Sequence, residues 1–242
     1  MKIGITERGD GGLSFAKVKK AIDSKLVDGA IVITKCPSKL VREIEYLQAN
    51  KNILVHCTIT GLGGTPLEPN VNVADYELDA YNTLRSELPN RVILRIDPII
   101  LNEPYLKMAR YVLTHAETRV RISFLDFYPH VQDRFKEANL GIKINEELHY
   151  DLEMRKLALQ EFQDILDKEE KNIKIEVCGE PGIECIGCIS KLDIEAIGLT
   201  HLLADNISKN TQRLACQCLG VKTELLTNKR PCMHKCLYCY WK

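Results

Sequence analysis

Short apolar runs alternate with amphipathic stretches along most of the chain, and this alternation restricts the fold more than any other feature. Residues 2–5, 29–34, 53–60, 91–97, 120–125 and 173–177 read as strands. The β-branched run at 29–34 is typical of a strand buried on both faces of a parallel sheet. Between the strands, apolar residues recur at helical spacing. Residues 14–26 place Phe15, Val18 and Ile22 on one face, and 73–88 carry Tyr76, Ala80, Leu84 and Leu88. Residues 38–48 follow the start signal Pro37-Ser38, and Asn102-Glu103-Pro104 opens a helix reaching His115. A shorter helix is expected at 131–138. The longest is expected from Asn145, with Leu148, Leu152, Leu159, Phe162 and Ile165 inward. Pro98 is expected to limit the fourth strand. Strands alternating with helices imply right-handed βαβ units and a parallel sheet, hence the α/β class.

The expected C-terminal ends of these strands are polar, and that end of a parallel α/β sheet is where sites are built. The first strand runs into Thr6-Glu7-Arg8-Gly9-Asp10 and the second ends at Thr34-Lys35. The third gives Thr58-Ile59-Thr60-Gly61, with Glu68-Pro69 beyond it. The fourth carries Arg95 and Asp97, and the fifth carries Ser123 and Asp126. Strand-to-helix turns collect Gly, Pro and Asp for conformational reasons alone, which accounts for Gly61, Gly63 and Gly64. It does not account for Arg95, whose guanidinium inside a buried strand requires a partner.

Eight of the ten cysteines follow residue 177. A mid-sized chain with no export signal behind Met1-Lys2-Ile3-Gly4 is not read as a disulfide framework, so metal or cluster ligation in a reducing cytoplasm is expected. Cys36 and Cys57 are expected to be packing residues. Cys232, Cys236 and Cys239 form C-x3-C-x2-C with Tyr238 before the third. Three thiolates can hold three irons of a 4Fe–4S cube and leave the fourth without a protein ligand, whereas closed clusters take four cysteines. The competing reading is a zinc ribbon pairing Cys185-x2-Cys188 with Cys236-x2-Cys239. That pairing leaves Cys232 unused and separates the two halves widely.

The tail motif resembles the signature of radical S-adenosylmethionine enzymes. Arg95-Ile96-Asp97-Pro98, Thr58-Ile59-Thr60-Gly61 with Glu68-Pro69, and Ser123-Phe124-Leu125-Asp126-Phe127-Tyr128-Pro129 resemble the domain-of-unknown-function 1848 family, which is similar to spore photoproduct lyase. The resemblance implies a partial (β/α)6 TIM-like barrel over residues 1–177. It implies a cysteine-rich extension over 178–242 that folds across the barrel mouth, because the motif stands at the C-terminus rather than after the first strand. It implies that Cys232, Cys236 and Cys239 hold a 4Fe–4S cluster whose open iron binds S-adenosylmethionine, with Tyr238 near the adenine. A second cluster is implied at Cys178, Cys188, Cys216 and Cys218, with Cys185 an alternative to Cys188 and zinc an alternative to iron–sulfur. Thr34, Lys35, Thr60, Arg95 and Asp97 are expected to bind the cofactor, and Arg95, Asp97 and Ser123 to act in catalysis. An electron donor such as flavodoxin or ferredoxin is the expected partner.

The substrate is open on sequence alone. A formal net charge of zero gives no whole-chain attraction to nucleic acid or membrane, and no stretch is apolar enough to span a bilayer. The resemblance favours isomerase or lyase chemistry on a pyrimidine base, free or within DNA, with Thr58, Thr60, Ser123 and Asp126 facing the base. Lys222, Lys229, Arg230, Lys235 and Lys242 form a basic margin suited to phosphate. Only 6% of residues are aromatic, which counts against base stacking. A small metabolite or peptide substrate and a non-enzymatic metal-binding module are the alternatives.

Overall fold

The computed structural model describes residues 1–203, 215–226 and 232–241. Seven strands form one parallel sheet: β1 (Ile3–Ile5), β2 (Gly29–Thr34), β3 (Ile53–Thr58), β4 (Val92–Ile99), β5 (Val120–Phe124), β6 (Ile175–Val177) and β7 (Lys222–Glu224). Their spatial order is β6-β5-β4-β3-β2-β1-β7. The first six strands therefore lie side by side in chain order, as successive right-handed βαβ units require. β6 and β7 are the two edges and do not pair, so the sheet is open.

Eight helices accompany the sheet among the described residues: α1 (Phe15–Asp23), α2 (Pro37–Val41), α3 (Ile44–Ala49), α4 (Ala74–Glu87), α5 (Tyr105–Thr114), α6 (Pro129–Ala138), α7 (Leu152–Lys168) and α8 (Lys191–Ala196). Side chains alternate between the sheet's faces with a period of two. Val32, Val55, Cys57, Leu94, Ile96 and Ile122 join a core with Phe15, Leu40, Leu84, Val112, Val131 and Phe162 from the helices. Ile3, Ile5, Ile31, Leu54 and Ile93 face the other way and pack on Ile189, Ile194 and Ile197 around α8. Each such buried side chain contributes about 1.5–3 kcal/mol by leaving water.

The same alternation explains the second face further along each strand. Two residues beyond Ile93 comes Arg95, and two beyond Leu54 comes His56. Fully buried Arg121 donates to Glu176 at 2.9 and 2.5 Å and to both Asp193 oxygens at 3.1 Å. Asp193 also closes a capping box with Ser190 at the start of α8. This ion cluster fixes the segment carrying Cys188 against the sheet.

Several expectations need correction. The longest helix starts at Leu152 rather than Asn145, because Asp151 caps it by accepting from the backbone N–H of Glu153 and Met154. Leu148 is 38% exposed in the preceding loop. The helix expected at 38–48 breaks into α2 and α3. Pro98 lies inside β4, at a register shift between Ile96 and Ile99 where a ladder hydrogen bond is not required of it. Tyr76 faces solvent rather than the core. Strand β7 and helix α8 were not expected. Lys229, Arg230 and Lys242 of the expected basic margin lie outside the described residues, as does Arg213 in Thr211-Gln212-Arg213, which the family resemblance places against the second thiol group. No helix among the described residues is long and apolar enough to cross a membrane.

His56 is fully buried, and neither ring nitrogen has a hydrogen-bond partner among the described residues. Burial, reinforced by the Arg121 charge, lowers its pKa to about 3. The ring is thus neutral in the fold, and the stability this confers is present above its ordinary pKa of 6.5 and is lost as pH falls below that value. Replacing His56 with Leu should reduce the stability lost between pH 8 and pH 5.5 by about 1 kcal/mol, measured by urea unfolding. Equal losses in both proteins would contradict this assignment.

Candidate metal and active site

The C-terminal ends of the strands enclose a cavity of about 650 Å³. Its walls come from every expected strand end: Glu7 to Asp10, Thr34 and Lys35, Thr58, Arg95 and Asp97, Ser123 and Asp126, and Cys178 to Glu180. The tail contributes Cys232, Cys236, Tyr238 and Cys239, and Cys188, Cys216 and Cys218 line the cavity as well.

Backbone and side-chain contacts seat the tail on the strand-end loops. Leu237 N–H donates to Leu67 O at 3.0 Å, and Asn70 Nδ2 donates to Met233 O at 2.7 Å. Arg134 donates to Leu237 O at 3.0 Å and to Cys239 O at 2.8 Å. Between two of the tail cysteines, His234 Nε2 lies 2.8 Å from Asp10 Oδ2 and 3.8 Å from Cys36 Sγ. Asp10 also accepts from Thr34 Oγ1, Lys35 N–H and Leu13 N–H. Burial opposes ionisation of both partners. The His234 contact nevertheless holds the Asp10 carboxyl below its ordinary range, and Asp10 raises His234.

A second network braces the aromatic residue of the motif. Glu68, almost fully buried, accepts from Tyr238 Oη, from Lys35 Nζ at 2.8 Å and from Thr60 Oγ1 at 2.8 Å. Lys35 Nζ also sits 5.3 Å from the Tyr238 ring centre and donates to Asp97 O at 3.1 Å. Burial raises the Cys232 thiol and pushes that of Cys236 to about 12, with Lys35 opposing the shift at Cys236. A cation bound there must displace those protons.

Arg95 has its partners. Nε and Nη2 donate to Asp97 Oδ2 at 2.9 and 2.5 Å, and Nη1 donates to Cys188 Sγ at 3.3 Å. Ser123 Oγ donates to the other Asp97 oxygen at 2.5 Å. Arg95, Asp97 and Ser123 therefore form one chain of hydrogen bonds ending on a cysteine, and all three line the cavity. Thr60 is the one expected cofactor contact outside the cavity lining. It stands behind Glu68, lining a small separate pocket.

The other thiols form a second group on the cavity wall. Cys178 Sγ and Cys188 Sγ are 3.2 Å apart, and Cys188 N–H donates to Cys218 Sγ at 3.1 Å. Cys216 hydrogen-bonds Cys218 and lines the same cavity. The four share their protons unevenly. Contacts from Cys178 and Cys218 push the Cys188 thiol down, and the Cys218 contact lowers Cys216 to about 6. Cys178 and Cys218 move up in compensation. Cys185 points away, its sulfur bonded to the backbone of Glu180 and Ile183. A ribbon pairing of Cys185 and Cys188 with Cys236 and Cys239 finds no support in this arrangement. Glu7 stands beside the group, with its carboxylate and the sulfurs of Cys188 and Cys218 within 4.8 Å of one another. Burial pushes Glu7 up to about 7, Cys188 adds to the shift, and ion-paired Lys222 opposes it.

Residues 14–241 match the model of the domain of unknown function DUF1848. The chain belongs to that family. No curated protein and no solved structure matches the chain. The DUF1848 match takes in both thiol groups and every strand end except the first, at Glu7 to Asp10.

Asp10, Glu68, His234 and Glu7 were not singled out as site residues from the sequence. Asp10 and Glu68 stood in strand-end motifs, and His234 stood inside the cysteine motif, so each carried a positional signal. Gly187 carried none. A Cβ there would lie 2.3 Å from Cys218 N and 2.4 Å from Cys218 Cα, both rigid backbone atoms. Only glycine permits this close approach of the Cys188 segment to the Cys216–Cys218 segment. Gly187→Ala should cut metal retained by the second thiol group at least several-fold while far-UV circular dichroism stays unchanged. Full metal retention would show that the approach is not required.

Proposed function

We propose that this DUF1848 protein is a radical S-adenosylmethionine enzyme with one 4Fe–4S cluster at Cys232, Cys236 and Cys239 and a second at Cys178, Cys188, Cys216 and Cys218. The observation that carries the reading is the joint lining of one cavity by the three tail cysteines, Tyr238 and all six expected strand ends. Three soft thiols suit iron and leave one coordination position for a chelating cosubstrate. The cavity volume is in the range of ligand sites. The open sheet with its transverse tail is read as a partial (β/α)6 barrel whose mouth the tail covers. When bound, the cluster would supply one electron to S-adenosylmethionine, breaking its S–C5′ bond to release methionine and a 5′-deoxyadenosyl radical able to take hydrogen from a substrate carbon.

The protein's own residues have distinct parts in this reading. Tyr238, held by Glu68 and Lys35, offers a fixed ring face for the adenine. Lys35 offsets the charge of the Cys232 and Cys236 thiolates. Arg95, already paired with Asp97, acts on the second site through Cys188 instead of binding the cofactor carboxylate. The tail forms one wall of the mouth, where a carbon radical would have to be kept from water.

A pyrimidine base, free or within a nucleotide or DNA, is the favoured substrate. Thr58 and Asp126 line the cavity and suit the hydrogen-bonding edge of a base. Tyr128, Tyr240 and Trp241 gather at its rim with ring centres 6.2 and 4.9 Å apart, and Arg8 lies 4.9 Å from the Trp241 ring. These three rings are where a base would stack. Rearrangement or bond cleavage at a base substituent is the expected reaction.

The test is anaerobic incubation of the reduced, reconstituted protein with labelled S-adenosylmethionine and pyrimidine nucleosides, oligonucleotides or peptides. Deoxyadenosine formation should rise several-fold with a pyrimidine component and fall to background in Cys232→Ala, Cys236→Ala and Cys239→Ala. Stimulation by peptides alone would replace the substrate assignment, and cleavage surviving in any of the three variants would refute the cluster assignment.

A further inference from the structure

We propose that Arg95 is a positioning residue for electron transfer: its hydrogen bond to Cys188 raises the reduction potential of the cluster held by Cys178, Cys188, Cys216 and Cys218, and Asp97 limits that rise. The inference rests on the reading of those four cysteines as a cluster site and assigns control of its potential to two residues of β4.

Three observations carry it. The first is the contact itself. Arg95 Nη1 donates to Cys188 Sγ, while Nε and Nη2 are both taken up by Asp97 Oδ2. One edge of the guanidinium is thus anchored, and the remaining nitrogen is presented to sulfur. A guanidinium keeps its charge at any pH the fold survives, so this hydrogen bond is charge-assisted. It acts on a sulfur that is already a ligand and requires no further position on iron. The second observation is burial. Arg95 is 8% exposed and Cys188 5% exposed, and charges in such a wall interact more strongly than in water. Reduction adds one negative charge to a cluster. The cation and its N–H···S bond therefore stabilise the reduced form more than the oxidised form, and local charge and hydrogen bonds to sulfur are what set such potentials. A backbone donor works in the same direction, since Cys188 N–H donates to Cys218 Sγ.

Charge balance gives the third argument. Arg121, beneath the same thiol group, is bound by two carboxylates, those of Glu176 and Asp193. Arg95 is paired with the single carboxylate of Asp97. The Asp97 contacts fall on Nε and Nη2, so the pair turns its positive end, at Nη1, toward the sulfur. Asp97 weakens the cation's pull without cancelling it, and Ser123 Oγ holds the other carboxylate oxygen. Residues 95 and 97 stand two apart on one strand, which is how both reach the same face. Both thiol groups line one cavity, so the potential of the second cluster bears directly on which way an electron moves between them.

The test uses the full chain carrying Cys232→Ala, Cys236→Ala and Cys239→Ala together, reconstituted anaerobically with ferrous iron and sulfide, so that only the second site holds a cluster. Its midpoint potential is read by redox titration, following the paramagnetic signal of the reduced cluster. Adding Arg95→Met should shift the midpoint to a more negative value. Adding Asp97→Asn, which keeps the shape and removes the counter-charge, should shift it to a more positive value. A merely structural role would lower iron uptake and leave the midpoint of the loaded fraction where it was. If Arg95→Met holds no cluster, the direction of the shift in Asp97→Asn decides alone. A midpoint that stays put, or that moves the same way in both variants, overturns the Arg95 assignment and leaves the four-cysteine site standing. A parent that takes up no iron overturns both.

Discussion

Thiols gathered in a buried wall set the main constraint on this structure. Each becomes a metal ligand only as a thiolate, and an unpaired charge in a low-dielectric wall is costly. The protein meets that constraint with cations aimed at the sulfurs. Arg95 reaches Cys188 from β4, and Lys35 lies beside the tail cysteines from the end of β2. Both cations are themselves held by acids, Asp97 and Glu68. Removing either cation would leave an acid and a thiol facing each other, so the sulfurs and the polar strand ends form one electrostatic unit. Arg121 extends the same logic deeper by tying Glu176 and Asp193 together beneath the second thiol group.

The tail depends on this frame and completes it. Its sequence has no apolar periodicity to dock it, and most of its backbone is not in helix or strand. Its position is set by side chains of the body: Asn70 and Arg134 bind tail carbonyls, and Asp10 binds His234. Asp10 is the most economical of these, since one carboxylate joins the first loop, the end of β2 and the cysteine motif. That junction brings a motif at the end of the chain to the end of the first strand.

The parallel α/β class and the first six strands were legible because their signal is local. β-branched runs and helical spacing are properties of neighbouring residues. The tail cysteines could be grouped from the sequence because they fall close together in the chain, and all three line the one cavity. What escaped reading depended on distant partners. Strand β7 is Lys-Thr-Glu, a strand only because β1 offers an open edge. Arg95 inside a buried strand requires a partner, but one of those it finds, Cys188, is 93 residues away. Thr60 read as a mouth residue, yet Glu68 folds back and covers it. Gly187 carries no sequence signal, because what excludes a side chain there is the backbone of Cys218, 31 residues away.

The central claim is that the tail thiols hold a cluster with an open iron that meets S-adenosylmethionine inside the strand-end cavity. Electron paramagnetic resonance of the reduced, reconstituted protein with and without S-adenosylmethionine tests it most directly. The account predicts that adding S-adenosylmethionine changes the spectrum of the wild type and of a Cys178→Ala variant. It predicts no such change once Cys236 is replaced by Ala. A wild-type cluster spectrum indifferent to S-adenosylmethionine would contradict it.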